Sequence, residues 1–332
     1  MERIKIAQLG IGHNHGEEKM KAFRKFPEIF DVVGVCEPDP VWLERRKDLP
    51  GYAGLPFMTQ EELFAIPGLQ AVSVETDVKD LDAAALACIQ RGYHIHMDKP
   101  GGENFREFEH LMLLAKEKQR VVQMGYMYRY NPAIRYALDL AKDGRLGKIF
   151  EIDTQMSTCH PVAYRQWLQS FSCGTMYIFG CHLLDMIFQV LGPDYQKLTP
   201  YLRQTKPEEV ALRDNALAVV EYPDATCTVR TTSVEVNGFG RRQLVICGTE
   251  GTVEVKPLEG PPTVTVSFAK DNPPTYQDTK QTVEVPPMTG RYDLMVQDFA
   301  AYIRGEKRNP FDHDYEIALQ KATLQACGLP TD

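Results

Sequence analysis

The stretch Ile4-Lys-Ile-Ala-Gln-Leu-Gly-Ile-Gly-His-Asn-His-Gly16 begins with a short apolar run, Ile4 to Leu9, that is typical of a buried parallel strand. The run leads into Gly10-Ile-Gly12, and a helix is predicted from about Gly16 to Phe26. A strand, a glycine turn and a helix in this order favour dinucleotide binding, because the glycines let the backbone approach a pyrophosphate at the helix N-terminus.

The glycine loop departs from the usual G-x-G-x-x-G pattern, since His15 stands at the third glycine and Gly16 follows one place later. The loop residues predicted to contact a dinucleotide are Gly10, Gly12, His13 and Asn14. No third ligand lies at a suitable spacing from His13 and His15, so no metal site is predicted.

A second predicted strand, Phe30 to Val35, ends in Cys36-Glu37-Pro38-Asp39. Glu37 follows Gly12 by 25 residues. An acidic side chain at this place accepts hydrogen bonds from the adenine ribose hydroxyls and repels a 2′-phosphate. The sequence therefore predicts NAD rather than NADP, with Glu37 at the ribose and Asp39 as the alternative acid.

A third informative stretch is Tyr93-His-Ile-His-Met-Asp-Lys-Pro-Gly-Gly102, which predicts a strand from Tyr93 to Met97 that stops at Pro100. Lys99 therefore follows the carboxyl end of a strand, where ligands bind in open α/β sheets. A lysine serves as a general acid or base when its surroundings lower its pKa. We predict that Lys99 is catalytic and that Asp98 contacts the cofactor or orients Lys99.

Strands and helices alternate over the first 125 residues, which predicts an α/β fold with a doubly wound parallel sheet of the Rossmann type. Further on, alternating segments between residues 203 and 287 predict a large, mostly antiparallel open sheet in an α+β domain. The domains are predicted as 1–125 for NAD binding and 126–332 for substrate binding. The terminal helix is expected to pack back on the Rossmann domain, and residues 270–279 are predicted to form an exposed loop.

A helix predicted from about Gly174 to Leu191 carries His182 and Asp185 on neighbouring positions of one face. A carboxylate near an imidazole orients it and raises its basicity, as a general base requires. His182 is therefore a second catalytic candidate, whereas capping or satisfying a helix interior is the structural alternative. His160, in the polar loop Thr158-Cys-His-Pro161, is a weaker candidate for substrate contact.

The composition excludes several classes of protein. The net charge of −8 argues against a nucleic-acid partner or an anionic membrane surface. No apolar run approaches the roughly 20 residues of a membrane helix, and the N-terminus enters a strand without a secretory signal. The eight scattered cysteines are expected to be reduced thiols, so a cytoplasmic location is predicted.

The motifs in their order resemble the Gfo/Idh/MocA oxidoreductase family, which includes glucose–fructose oxidoreductase and inositol dehydrogenase. The resemblance rests on the Gly10-x-Gly12 loop, the acid after strand two, Thr76 after the next strand, Asp98-Lys99-Pro100 in place of the family's Glu-Lys-Pro, and Gly125-Tyr-Met-Tyr-Arg-Tyr-Asn131-Pro132. It implies Thr76, Asp98 and Lys99 as cofactor contacts. It also implies a homodimer or homotetramer formed through the open sheet.

The segment from Cys173 to Asp185 resembles the family motif Gly-Gly-x-x-x-Asp-x-Gly-x-His-x-x-Asp, with Ile178 in place of the first Asp. In dehydrogenases of the family that Asp helps to hold the reacting group. Its replacement favours a site in which Lys99 and His182 carry the proton chemistry. The residues expected around the reacting carbon are Tyr126, Arg129, His160 and Asp185.

Three functions stay open. The first is an NAD-dependent oxidoreductase that acts on a sugar, a polyol or a related hydroxy compound. The second is an NAD-dependent glycoside hydrolase that works by a transient redox step. The third is a non-enzymatic NAD(H)-binding regulator, which Ile178 keeps open.

Overall fold

The computed structural model describes residues 2–270 and 276–331, which form two compact units. The first unit contains residues 2–127 and 289–317, and the second contains the described residues of 128–288 together with 318–331. The segment 289–317, which the sequence analysis placed in the second domain, thus belongs to the first unit. Residues 271–275 of the predicted 270–279 loop lie outside the described residues.

The described strands are β1 (Ile4–Leu9), β2 (Phe30–Cys36), β3 (Ala71–Val74), β4 (His94–Met97), β5 (Val122–Met124), β6 (Ile149–Ser157), β7 (Lys197–Arg203), β8 (Asn215–Glu221), β9 (Thr226–Thr232), β10 (Gln243–Gly248), β11 (Gly251–Lys256), β12 (Thr263–Phe268) and β13 (Gln281–Val283). The described α-helices are α1 (Gly16–Lys25), α2 (Pro40–Arg46), α3 (Gln60–Phe64), α4 (Leu81–Gln90), α5 (Phe105–Glu117), α6 (Pro132–Lys142), α7 (Val162–Leu168), α8 (Cys181–Leu191), α9 (Asp293–Ile303) and α10 (His313–Ala326). A π-helical turn, Met176–Gly180, precedes α8.

The first unit is built on a five-stranded parallel sheet in the order β2-β1-β3-β4-β5. All four residues of β3 are buried, as the apolar strands of a parallel sheet require. Because the strand order reverses direction at β1 and β3, a crevice opens between the loops that follow these two strands. The predicted doubly wound Rossmann sheet is confirmed, and its switch point lies at the glycine loop.

The described part of the second unit contains an eight-stranded sheet in the order β13-β12-β11-β10-β6-β9-β8-β7. Its neighbours are antiparallel except for β6 and β9, which run parallel. Burial alternates along β8, where Ala216, Ala218 and Val220 are buried, and the helices α6 and α8 contact this sheet. The predicted large, mostly antiparallel sheet is confirmed.

Side-chain caps fix the N-termini of two helices, α3 and α6. The Thr59 hydroxyl accepts the Glu62 N–H at 3.2 Å, and the Glu62 carboxylate accepts the Thr59 N–H at 2.8 Å, which forms a capping box at α3. Asn131 caps α6 by a simpler arrangement, in which its Oδ1 accepts the N–H groups of Ala133 and Ile134 ahead of Pro132 at the first helical position.

The sequence analysis did not predict α2, α7, β7 or β13. The helix α2 has no buried residue, so it shows no apolar period, and β7 is an edge strand that contains Pro200. Asp39, the alternative ribose ligand, is the N-cap of α2 and accepts the Val41 N–H at 2.8 Å. Within the described residues no helix combines the length and the apolarity that a bilayer crossing requires.

Candidate cofactor and catalytic sites

The glycine loop and the end of β3 approach each other more closely than side chains would allow. Gly10 has φ of +90°, and a Cβ at this position would lie 2.3 Å from the Thr76 nitrogen. A Cβ on Gly12 would lie 2.7 Å from the nitrogen of Asp77. The predicted cofactor residues Gly10, Gly12 and Thr76 are therefore brought together at the switch point of the sheet.

Beside this crevice the first unit has a cavity of about 310 Å³. Its wall contains Glu37, Asp39, Trp42, Thr76 and Asp77 together with alanines of α4. A cavity at the carboxyl ends of β1, β2 and β3, with a carboxylate in its wall and a glycine loop next to it, fits the adenosine half of a dinucleotide.

Glu37 has partners within its own loop. Its Oε2 accepts the Ile11 N–H at 2.6 Å, and its Oε1 accepts the Asp39 N–H at 2.8 Å. Burial raises the pKa of Glu37, and these backbone hydrogen bonds oppose that rise. Each carboxylate oxygen retains acceptor capacity, so the side chain can bind a ribose hydroxyl while it fixes the glycine loop.

Two residues that the sequence analysis missed support the same loop. Arg46 donates hydrogen bonds to the carbonyl oxygens of Ile11 (3.0 Å) and His13 (2.7 Å) and to Asn14 Oδ1 (2.9 Å). Its guanidinium carbon lies 4.6 Å from the ring centroid of Trp42. Both side chains come from α2, and the Asp39-Pro40 pair that begins this helix was the available signal.

Asp98 is fully buried and surrounded by nitrogen atoms. Its Oδ2 lies 2.5 Å from Lys19 Nζ, 3.1 Å from His13 Nδ1 and 3.2 Å from His15 Nδ1. Burial opposes ionisation of Asp98, but His13, Lys19 and His15 outweigh it and hold the pKa of this carboxyl well below its usual range. Oδ1 accepts the Lys99 N–H at 2.7 Å. Of the two roles predicted for Asp98, these contacts favour orienting Lys99.

His13, His15 and Asp98 each place one atom that could bind a metal, a ring nitrogen or a carboxylate oxygen, and these atoms lie within 4.8 Å of one another. Spacing along the chain did not reveal this group, because Asp98 comes from a different strand end, 83 residues from His15. The cation that Asp98 holds is the ammonium of Lys19. That no metal binds here stays a prediction.

The chain that follows Lys99 is fixed by two further contacts. Asp82 Oδ2 accepts the Gly102 N–H at 2.8 Å, and burial raises the pKa of Asp82 to about 7. A Cβ on Gly101 would lie 2.3 Å from the Phe108 ring. These contacts, together with Asp98, hold the Lys99 backbone from both sides, which is the preorganisation that a catalytic side chain requires. Tyr126 also lies in the first unit and is buried.

The second unit contains His182 and Asp185, both buried on α8. The ring of Tyr128 meets the His182 imidazole edge to face, with 4.9 Å between the ring centroids. The Tyr128 hydroxyl donates to Glu259 Oε1 at 2.5 Å, and Arg242 pairs with the same carboxylate. Tyr128 and Glu259 were not singled out by the sequence analysis, because nothing in their spacing links them to His182.

Asp185 forms a bidentate ion pair with Arg129. Arg129 Nε lies 3.1 Å from both carboxylate oxygens, and Nη2 lies 2.8 Å from Oδ1. Gln189 donates to the other oxygen at 3.0 Å. The structure thus brings together two of the four predicted substrate contacts, as each other's counter-ion.

Breaking this pair from one side should be costly. We expect Arg129→Met to lower the free energy of unfolding by about 3–5 kcal/mol, because it leaves a buried carboxylate without its counter-ion. The double variant Arg129→Met/Asp185→Leu should recover much of that loss. Urea unfolding of the single and double variants measures the difference, and a double variant no more stable than Arg129→Met would show that the loss does not come from an uncompensated charge.

His160 lies in a stack of aromatic rings in the second unit. Its centroid is 4.2 Å from that of Tyr164 and 5.5 Å from that of Phe179, with nearly parallel planes. Burial lowers the pKa of His160 to about 4, so the imidazole is neutral at pH 7. Its Nε2 is buried and makes no hydrogen bond to the described residues, which leaves one ring nitrogen for a ligand.

The helix predicted from Gly174 begins differently from a regular α-helix. Residues Met176–Gly180 form the π-helical turn, and Ile178 is buried within it. A Cβ at Gly180 would lie 2.3 Å from Met176 Sδ, so a larger residue there would displace the Met176 side chain. A π-turn shifts the helical register, so the place of Ile178 relative to His182 differs from what a four-residue spacing predicts.

Comparison with known proteins gives the same architecture. Residues 4–126 match the NAD-binding Rossmann-fold domain of an oxidoreductase family, and residues 139–324 match its C-terminal alpha/beta domain. Scyllo-inositol 2-dehydrogenase (NADP(+)) IolW of Bacillus subtilis is 26% identical over 134 residues, which cover 40% of this chain and 37% of that protein. Levoglucosan dehydrogenase of Pseudarthrobacter phenanthrenivorans is 22% identical over 82% of this chain and 78% of its own length.

This chain spans less than two thirds of the length of several curated relatives. It covers 37% of IolW and 66% of the bovine trans-1,2-dihydrobenzene-1,2-diol dehydrogenase. Among solved structures, an oxidoreductase from Agrobacterium radiobacter in complex with NAD+, L-tartaric acid and magnesium superposes with a TM-score of 0.83 at 16% identity, over 98% of this chain and 97% of that one. The aldose-aldose oxidoreductase of Caulobacter crescentus gives 0.81 at 16% identity, over 98% of both chains. Both likenesses concern the fold. The chain belongs to the Gfo/Idh/MocA oxidoreductase family, whose two domains it carries in order.

Proposed function

We propose that this protein transfers hydride between NAD and a sugar, a polyol or a related hydroxy compound. The observation that carries the proposal is the glycine loop at the switch point of the parallel sheet, beside a cavity whose wall contains Glu37. Relatives named as dehydrogenases of scyllo-inositol and levoglucosan support a polyhydroxylated substrate.

A bound nicotinamide would supply the hydride acceptor or donor. We assign the proton to Lys99 and His182, as general base in oxidation and general acid in reduction. Asp98 and the contacts around Gly101 and Gly102 fix the backbone at Lys99, and the Tyr128 ring packs against His182. Each group is therefore held by buried neighbours rather than by a mobile surface segment.

The substrate contacts that we propose are Tyr126, Arg129, His160 and Asp185. Arg129 and Asp185 would act as one pair, since each holds the other's charge. The neutral His160 would offer its buried Nε2 to a substrate hydroxyl, because a neutral imidazole nitrogen can either donate or accept.

Glu37 should make the protein prefer NADH to NADPH. We expect NADPH to bind at least about tenfold more weakly, because a 2′-phosphate would lie against the carboxylate. Glu37→Gln removes the charge and keeps one of the two oxygens that accept loop N–H groups, so it should reduce the difference between the NADH and NADPH affinities several-fold. Quenching of Trp42, which lies in the cavity wall, reports binding. Trp42→Phe should remove the signal, while Trp167 in the second unit supplies a constant background. Equal affinity of the native protein for both nucleotides would exclude this role of Glu37.

A substrate panel tests the activity itself. Absorbance of NADH would be followed with NAD or NADP against inositols, aldoses, sugar acids and amino sugars. NAD-dependent reduction with one class of these compounds is the expected result. Silence across the panel, with NADH still bound, would favour the glycoside hydrolase, which a p-nitrophenyl glycoside assay detects, or the non-enzymatic regulator. A homodimer or homotetramer and a cytoplasmic location stay predictions, the first of them open to light scattering.

A further inference from the structure

Beneath the glycine loop two carboxyl groups share one ammonium. Glu75 follows β3, Asp98 follows β4 and Lys19 lies in the first turn of α1, and the three side chains have no exposed surface. Lys19 Nζ lies 3.0 Å from Glu75 Oε1 and 2.5 Å from Asp98 Oδ2. The cluster therefore buries two acids against one base.

The other titratable groups that face this cluster come from five places in the chain. They are His13 and His15 in the glycine loop, His96 on β4, Lys99 beyond Asp98, Tyr52 after α2 and Tyr292 before α9. Burial lowers the pKa of His15 and His96 to about 3 and that of His13 as well, and it raises the pKa of both tyrosines. The histidines and tyrosines are therefore neutral at pH 7.

Ionising both carboxyl groups would place two buried negative charges against one ammonium, so one charge would be uncompensated, which costs more than keeping a proton. Asp98 Oδ2 has three nitrogen neighbours, whereas Glu75 Oε2 has no hydrogen-bond partner among the described residues. We propose that Glu75 holds a proton beneath the glycine loop, next to the Lys19–Asp98 ion pair, and that loss of this proton weakens dinucleotide binding.

The carboxyl group is placed to act on the loop above it. The Glu75 carbonyl oxygen accepts the His13 N–H at 2.9 Å, and the Glu75 Cβ is 3.1 Å from where a Cβ of Gly16 would be, at the N-terminus of α1. A pyrophosphate bound at this helix end would be repelled by the new negative charge, and we expect this repulsion to lower its affinity about tenfold. Burial raises the pKa of Glu75 to about 8, so the loss should fall between pH 7 and pH 9.

The test is NADH affinity as a function of pH, read from Trp42 quenching on the native protein and on Glu75→Gln. We expect the native dissociation constant to rise about tenfold between pH 6.5 and pH 9.5, and that of Glu75→Gln to change less than twofold. Parallel curves for the two proteins would overturn the inference. Because the inference rests on the proposed nucleotide site, no NADH binding at any pH would overturn both, whereas binding independent of pH would overturn this one alone.

A second measurement needs no cofactor. A proton held more tightly in the folded than in the unfolded protein stabilises the fold, so this contribution is complete below pH 4.5 and is lost as pH rises to about 8. Ser73 donates to Glu75 Oε1 at 3.2 Å, and Ser73→Ala removes a hydrogen bond that favours the charged carboxylate. The melting temperature should fall as pH rises, and the pH at which this fall is complete should be higher in Ser73→Ala than in the native protein. An unchanged position would assign the proton to another group.

Discussion

Replacing Lys99 with Met should lower turnover by a factor of about 10²–10⁴, which is a larger effect than the fall in NADH affinity expected from losing one predicted cofactor contact. Asp98 and Asp82 hold the backbone around Lys99 through its N–H and the N–H of Gly102, and neither contact uses the lysine side chain. The substitution should therefore remove an acid–base group without moving the turn that carries it. Steady-state rates with a substrate found in the panel, beside NADH titrations by Trp42 quenching, separate turnover from binding.

The variant Lys99→Arg distinguishes proton transfer from electrostatics. A guanidinium keeps the positive charge but stays protonated at any accessible pH, so it cannot serve as a base. If Lys99 moves the proton, Lys99→Arg should be as slow as Lys99→Met; a rate near that of the native enzyme would reduce Lys99 to a source of charge. Lys148→Met is the matched control, because its exposed pair with Asp224 contributes little to stability. Undiminished turnover in Lys99→Met would remove this lysine from the chemistry.

The sheet and its glycine loop could be predicted from the sequence because each depends on neighbours along the chain. An apolar run, a glycine turn and an amphipathic helix lie within some 20 residues, and local sterics determine what they form. The same holds for the acid after β2 and for Lys99 after β4. These residues were found because strand ends in a parallel sheet converge on one edge.

The buried charge cluster could not be predicted in this way. Lys19 and Asp98 are 79 residues apart, and only the pairing of β1, β3 and β4 brings their positions together. One signal was present in the chain. The buried face of α1 contains Gly16, Lys19, Met20 and Phe23, so a lysine occupies an apolar stripe at helical spacing. A fully buried lysine needs a carboxylate, and the two acids that follow buried strands were the available partners.

Trp42 and Arg46 could not be predicted for a different reason, which is that their helix lacks an apolar sequence pattern. Their helix is short and has no buried residue, so the apolar periodicity that identifies helices is missing. Their role depends on contacts with a loop about 30 residues earlier, where Arg46 binds two carbonyl oxygens. A polar surface helix that supports a binding loop carries no apolar pattern, so the Asp39-Pro40 pair at its start was the available signal, and its contacts with the loop came from the structure.

Gly10→Ala should abolish cofactor binding. This is the second of the two largest effects that we expect. Gly10 has φ of +90°, and its Cβ would lie 2.3 Å from the Thr76 nitrogen and 2.5 Å from the Thr76 Cα. Both are backbone atoms at the end of a buried strand, so neither can turn aside as a side chain would. We expect a loss of about 2–5 kcal/mol in the free energy of unfolding, from backbone strain together with overpacking. NADH affinity should fall more than a hundredfold, because the loop must move away from β3.

The chain offers a control that separates strain from collision. Gly92 has φ of +87°, nearly the value at Gly10, but a Cβ there meets no atom of the described chain within 4 Å. Gly92→Ala should therefore lower the free energy of unfolding only by the strain of the left-handed backbone, about 1–2 kcal/mol. It should bind NADH like the native protein. Thermal unfolding and NADH titration of both variants give the comparison. Equal losses of stability and of NADH affinity at the two positions would mean that the approach of the glycine loop to Thr76 is not what requires glycine. The placement of the dinucleotide at this crevice would then lose its strongest steric support.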